Sequence, residues 1–290
     1  MKPLSVVCLL AFALPTVAGV IPRSNHVWII AEENKSYENV IGNPHMPYFN
    51  SLVNKYAVAA QYYSNHHGSI SSLMRIVAGQ PVTENGNTVK CFDVDNIVRH
   101  LLLHGMTWKS YQEDLPYAGY TGLKWKNYTR GHNPLIDLTD ACAPGQKLNN
   151  VPFTRLAKDI SNNAVPNYAF ITPNLQHDGH NGTLAQADQW LSQQVPKILA
   201  LPEFRSGGGG LLFIVWDEGN LYTDNRCSAW VHTGCGGRIA TLMVGPNVKH
   251  KFKSGSLYHH QHLLRTVCDA FGFTNCPGAA NTAKPMADMF

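Results

Sequence analysis

Two apolar runs in this chain end abruptly in groups that bind hard cations. Val27-Trp28-Ile29-Ile30-Ala31-Glu32 leads into Glu33-Asn34, and Leu211-Leu212-Phe213-Ile214-Val215-Trp216 leads into Asp217-Glu218. Carboxylate and amide oxygens of this kind suit Mg²⁺, Ca²⁺ or Mn²⁺, and Zn²⁺ if histidines join them. Glu33-Asn34 alone reads equally well as the start of a turn or helix. Asp217-Glu218 is different, because adjacent carboxylates directly after apolar residues repel each other and lose hydration unless a cation compensates.

The chain holds 14 histidines, and several sit in polar clusters. These are Asn65-His66-His67-Gly68-Ser69, Asp178-Gly179-His180 shortly after Thr172-Pro173-Asn174, and His259-His260-Gln261-His262. Imidazoles gathered in this way serve metals, phosphates and proton transfer. His26, His45, His100, His104 and His250 read as surface or capped core. Ser69 precedes a predicted helix, where its hydroxyl lies near backbone N–H groups able to hold a phosphate. Residue type alone favours the plainer role of helix N-cap for it.

The elements that must bring these groups together follow from periodicity. Buried strands are expected at 27–32, 57–63, 106–111, 167–172, 211–216 and 238–245. Helices are expected at 46–56, 71–78, 95–104, 152–161, 184–201 and 260–271. Strands alternating with helices predict an α/β fold, a mostly parallel central sheet with helices on both faces. In such sheets the ligand crevice lies beyond the carboxyl ends of the strands, where both acidic pairs fall. The Gly-, Pro- and Asn-rich stretch 112–150 reads as an insertion over the sheet, covering the site. Gly207-Gly208-Gly209-Gly210 lacks the spacing of a phosphate-binding loop.

The start of the chain, a basic residue followed by an apolar run and then Thr16-Val17-Ala18-Gly19, reads as a signal peptide cleaved near Ala18. That apolar run is shorter than the roughly 20 residues that span a bilayer. One domain at 19–290 is expected, secreted or periplasmic and without stable membrane insertion. Six cysteines remain beyond the leader, and their local spacing favours Cys227 with Cys235 and Cys268 with Cys276, leaving Cys91 with Cys142. The formal charge of +4 is spread along the chain, which argues against a nucleic-acid partner. Asn34, Asn127 and Asn181 each open a glycosylation sequon.

Taken together, the blocks resemble a known family. Glu33-Asn34-Lys35-Ser36-Tyr37-Glu38-Asn39, His67-Gly68-Ser69, His132-Asn133-Pro134-Leu135, Thr172-Pro173-Asn174 through Asp178-Gly179-His180, Trp216-Asp217-Glu218-Gly219 and His260-Gln261-His262 occur in that order. The pattern is similar to the bacterial acid phosphatase/phospholipase C phosphoesterases of the alkaline-phosphatase-like superfamily. The resemblance implies that Glu33, Asn34, Asp217 and Glu218 bind a divalent metal ion and that Ser69 is the nucleophile. It implies that His132, Asp178 and His180 line the phosphate pocket, with His67 and His260 beside them. The chain departs from the family around Ser69: members commonly carry His-Pro-Ser, a hydrophobic residue and Pro-Asn-Tyr, whereas this chain reads His67-Gly68-Ser69, Ile70 and then Ser71-Ser72-Leu73.

The expected activity is hydrolysis of a small phosphate ester through a phosphoserine. The alternatives are phospholipase C-like action on a phospholipid diester, and a secreted protein that binds metal or phosphate without turnover. The oligomeric state is open.

Overall fold

A computed structural model of the chain describes residues 20–220, 226 and 235–290. The expected leader and Cys227 lie outside the described residues.

In chain order the elements are β1 (His26–Glu32), α1 (Tyr37–Val40), α2 (Pro47–Val53), β2 (Ala57–Tyr62), α3 (Ser69–Ala78), α4 (Ile97–Leu103) and β3 (Trp108–Gln112). A small hairpin follows, β4 (Lys124–Trp125) and β5 (Tyr128–Thr129), then α5 (Thr139–Cys142), β6 (Asn150–Pro152), α6 (Arg155–Ser161) and β7 (Tyr168–Thr172). The last group is α7 (Leu184–Leu199), β8 (Gly210–Trp216), β9 (Thr241–Val244), β10 (Phe252–Tyr258) and α8 (His260–Phe271).

Eight strands form one sheet in the order β10-β2-β9-β8-β1-β7-β3-β6. All neighbours run parallel except β9, which is antiparallel to both β8 and β2. Every residue of β7, β8 and β9 is buried, as are the last six of β1, so both faces of the central strands are covered. Such strands read as unbroken apolar runs because neither face meets water. Helix α2 packs on α7, and α3 on α8. Phe49 of α2 meets Trp216 of β8 edge-on at 5.0 Å, a geometry that sets a ring's positive rim against the other's π face.

The expected α/β architecture is therefore present, with four differences, one being the edge strand β6 at 150–152, where the insertion was expected to pass directly into a helix at 152. The strand expected at 238–245 is shorter and antiparallel, since hydrophobicity encodes burial and not direction. β10 was not expected. Its pattern alternates poorly because much of it is exposed at the sheet edge, including Lys253 and Ser256. The stretch 112–150 holds more structure than a loop: the hairpin, short 3₁₀ turns and α5. At its centre Arg130 is buried, with Nε donating to Asp137 Oδ1 at 2.8 Å and Nη1 to Thr121 O at 2.7 Å. Burial pushes the Asp137 carboxyl up to about 6 against the pull of Arg130.

Disulfides join Cys91 to Cys142 and Cys268 to Cys276, as expected. Cys235 is also disulfide-bonded, while its expected partner Cys227 is outside the described residues.

Candidate active site

Strands β1 and β8 are adjacent, parallel and in register, with Glu32 opposite Trp216. The residues that follow them, Glu33-Asn34 and Asp217-Glu218, must then emerge side by side. Asp217 N donates to Glu32 O at 2.9 Å, and Asn34 N donates to Asp217 Oδ1 at 3.0 Å. Asn34 adopts a left-handed backbone with φ 53°, which its short polar side chain tolerates. That turn sets Asn34 Nδ2 2.8 Å from His180 Nδ1.

Ser69 reaches the same point from α3. Its Oγ donates to Glu33 Oε2 at 2.7 Å. The N-cap position belongs to Gly68, at φ 129°, and Ser69 is the first residue of the helix proper. The expectation that Ser69 caps the helix is therefore corrected: its hydroxyl turns to a carboxylate instead. The capping contact comes from Glu218, whose Oε2 accepts from Gly68 N at 2.6 Å and lies 2.9 Å from His67 Nδ1. A carboxylate at a helix N-terminus is favoured by the macrodipole.

The histidines arrive from two further segments. The segment 113–149 delivers His132, whose Nδ1 lies 3.1 Å from Asp178 Oδ2 and whose Nε2 lies 3.4 Å from Glu33 Oε2. Asp178 Oδ1 accepts from His180 N at 2.8 Å. Asp178 is fully buried, so it orients both histidines from behind and does not line the pocket that the resemblance assigned to it. Between them Gly179 takes φ 89°, and a Cβ there would meet Glu33 O at 3.3 Å. His180 Nδ1 is 3.5 Å from Glu33 Oε2.

His260 stands apart. It is fully buried, with Nδ1 3.1 Å from Tyr62 Oη and Nε2 2.8 Å from Asp217 O. Burial pushes its pKa down to about 3, so it stays neutral and braces the end of β8. It does not line the pocket that the resemblance assigned to it.

The electrostatics ask for a cation. Burial, then Asp217 and Asp178, push the Glu33 carboxyl well above its ordinary range. Burial and Glu218 raise Asp217 to about 7, and burial raises Glu218 to about 7. Glu33 Oε1 and Asp217 Oδ2 are buried without a hydrogen-bond partner, which is costly for oxygens removed from water. A divalent ion relieves both conditions, so this donor set fits one. Among the described residues, the donors that converge within 4.8 Å of one another are one atom each of Glu33, His132 and His180, so of the expected ligands Glu33 alone joins that cluster. Glu33 belongs to both the carboxylate set and this histidine set.

Lys35 is a site residue the sequence reading passed over, although it lies inside the same block. Its half-buried ammonium donates to Gly179 O at 2.5 Å, and burial lowers its pKa against the raising pull of Asp178, Asp217 and Glu33. Beside Ser69 opens a cavity of about 250 Å³ whose wall includes Glu84, Asn87, Lys124, Thr129 and His132. This wall is mostly polar.

Residues 43–274 match the Phosphoesterase family. A phosphatidylinositol-3-phosphatase of Mycobacterium tuberculosis is 29% identical over 283 residues, covering 96% of this chain and 88% of the relative. A probable acid phosphatase of Kluyveromyces lactis is 27% identical over 253 residues, or 83% of this chain; the chain thus spans 56% of that longer relative. Among solved structures, a protein in the alkaline phosphatase superfamily from Vibrio parahaemolyticus aligns with a TM-score of 0.57 at 12% identity, covering 90% of this chain and 71% of its own. The lipoteichoic acid synthase LtaP from Listeria monocytogenes aligns at 0.59 and 11% identity, covering 88% and 74%. These two share the fold. Because the family match takes in most of the chain, the protein belongs to the Phosphoesterase family and is a hydrolase of phosphoric esters.

Proposed function

We propose that the protein is a metal-dependent phosphomonoesterase that acts through a phosphoserine at Ser69. One observation carries the reading: Ser69 Oγ, at the head of α3, donates to Glu33 Oε2 at 2.7 Å. A serine hydroxyl becomes an effective nucleophile when an adjacent group takes its proton. Here Glu33 Oε2 takes the proton as Oγ attacks phosphorus. The first backbone N–H groups of α3 bind the phosphoryl oxygens, as helix N-termini do for anions. His132, fixed by Asp178, orients the phosphoryl group through Nε2, and the more exposed His180 protonates the departing alcohol. Glu33, Asn34, Asp217 and Glu218 would hold a divalent ion, which when bound would supply positive charge to the reacting oxygens and lower the pKa of the Ser69 hydroxyl.

The small polar cavity beside Ser69 favours a phosphomonoester of a polar alcohol over a diester with acyl chains. A relative named for action on a phosphoinositide is in keeping with a polyol leaving group. The disulfides suit an exported protein. The test is turnover of sugar and polyol phosphomonoesters, with phosphatidylcholine and a simple phosphodiester as controls, before and after chelation. Monoester hydrolysis abolished by chelation and restored by a divalent ion is the expected result. Hydrolysis confined to diesters, or indifferent to chelation, refutes the reading.

A further inference from the structure

Helix α3 carries Ser69 at its head and Arg75 in its last turn. Arg75 is only 4% exposed. Its Nη1 donates to Ser71 O at 3.0 Å and to Ser71 Oγ at 2.7 Å. Among the described residues it has no further hydrogen bond and no carboxylate in an ion pair. Arg130, the other deeply buried arginine, has Asp137 beside it. Glu84, the acidic group with most influence on Arg75, is turned outward and lies 3.5 Å from His66 Nε2. A buried guanidinium without a counter-charge is strongly unfavourable.

Arg75 borders a cavity of about 400 Å³ that shares no residue with the Ser69 site. Gln261 of α8 also lines it. Its Oε1 accepts from Asn65 Nδ2 at 3.1 Å, while its Nε2 has no partner among the described residues. Thus the Nε–Nη2 edge of Arg75 and the Gln261 amide nitrogen have no protein acceptor among the described residues. The paired N–H groups of a guanidinium edge match two oxygens of a carboxylate or phosphate. Pro81 and Ala279 supply carbon to the remaining wall. The volume falls within the roughly 300–1,000 Å³ of small-molecule sites, more than a bare oxyanion needs.

We propose that this cavity is a second binding site, for a small organic oxyanion with a compact apolar body, held by Arg75 and Gln261. The oxyanion head neutralises the buried guanidinium and the body occupies the wall formed by Pro81 and Ala279. The site lies behind the segment Asn65-His66-His67-Gly68 that leads into the nucleophile, and it is chemically separate from the carboxylate centre.

Calorimetric titration of the purified protein with benzoate and with phenylphosphonate tests this, using wild type, Arg75→Met, Gln261→Leu and Ser69→Ala. Benzoate should bind wild type and Ser69→Ala equally, one per chain, and at least tenfold more weakly to Arg75→Met and Gln261→Leu. Phenylphosphonate should occupy two sites in wild type and one in Arg75→Met, which separates a carboxylate-only site from a general oxyanion site. Circular dichroism checks that the variants fold, and Gln261→Leu decides alone if Arg75→Met does not. Benzoate and phenylphosphonate binding that survives substitution at Arg75 and Gln261, or no binding beyond the Ser69 site, overturns the proposal.

Discussion

Ser69 Oγ and Glu33 Oε2 meet at 2.7 Å across a sequence separation of 36 residues, one from the head of a helix and the other from the end of the central strand. The contact does not serve to cap the helix, so its loss separates chemistry from stability. Ser69→Ala should lower kcat by about 10³-fold or more. Its melting temperature should shift by no more than about 2–4 °C. Acid quenching during turnover should trap phosphate on Ser69 in wild type. Retention of a substantial fraction of kcat by the alanine variant would exclude the covalent route.

Metal content distinguishes the two donor sets that share Glu33. If the ion sits among the strand-end carboxylates, Asp217→Asn loses it and His180→Ala retains it. Elemental analysis of the purified variants reads this directly. Asp217→Asn should also melt higher than wild type when both are metal-free, because it removes one of several buried carboxylates that repel each other. Loss of metal from His180→Ala with retention in Asp217→Asn would move the ion to the histidine set.

Asp178 never faces the pocket, yet it holds the His132 ring with one oxygen and the His180 backbone with the other. Carboxylates in this supporting position commonly contribute about 10- to 100-fold in activity or metal affinity. Asp178→Asn should therefore reduce kcat by about that factor, with KM changed less and Asp217-dependent metal retained. An unchanged pH–rate profile with full kcat would deny Asp178 this positioning role.

A pH dependence of stability follows from Asp159, which clamps α6 to β3. Lys109 Nζ, Tyr111 Oη and Arg155 Nε donate to its carboxylate at 2.5, 2.8 and 2.9 Å. Burial works to raise its pKa, but these bonds outweigh it and the net shift is downward. A carboxylate whose folded pKa lies below its unfolded value stabilises the fold above the unfolded value, and that stability is lost as pH falls through the folded one. Asp159→Asn should thus cost about 2–3 kcal/mol near pH 7. The gap from wild type should close progressively below about pH 4. Denaturant titrations at several pH values measure it, and a gap that widens in acid contradicts the assignment.

The parts of the fold legible in the sequence were those whose pattern is set by complete burial. β1 and β8 are apolar throughout until their terminal carboxylates, and so both were found with their polar ends. β10 was missed because an exposed edge strand carries lysine and serine where a central one carries valine. α7 begins where Thr183 accepts from Gln186 N, a local capping contact. At the site, carboxylates after apolar runs were informative, whereas Ser69 was not, since a serine before a helix looks the same as cap or nucleophile. His260 lay in a matching block but is enclosed behind Asp217, and only three-dimensional placement separates a lining histidine from a bracing one. Arg75 sits on a helix whose sequence gives no hint that its partner carboxylate is missing.

The pairing of β1 with β8 also sets an order of events in time. Asn34 and Asp217, in contact through Asn34 N, are 183 positions apart in the chain. Contacts of such long range are closed late, because the loop between them must be ordered first. A growing chain exposes Glu33 and Asn34 long before Asp217 and Glu218 exist. Until β8 docks beside β1, the strand-end carboxylates remain separated halves, neither of which surrounds an ion. On the proposed metal reading, capture of an ion by this set would follow assembly of the sheet centre and report its completion.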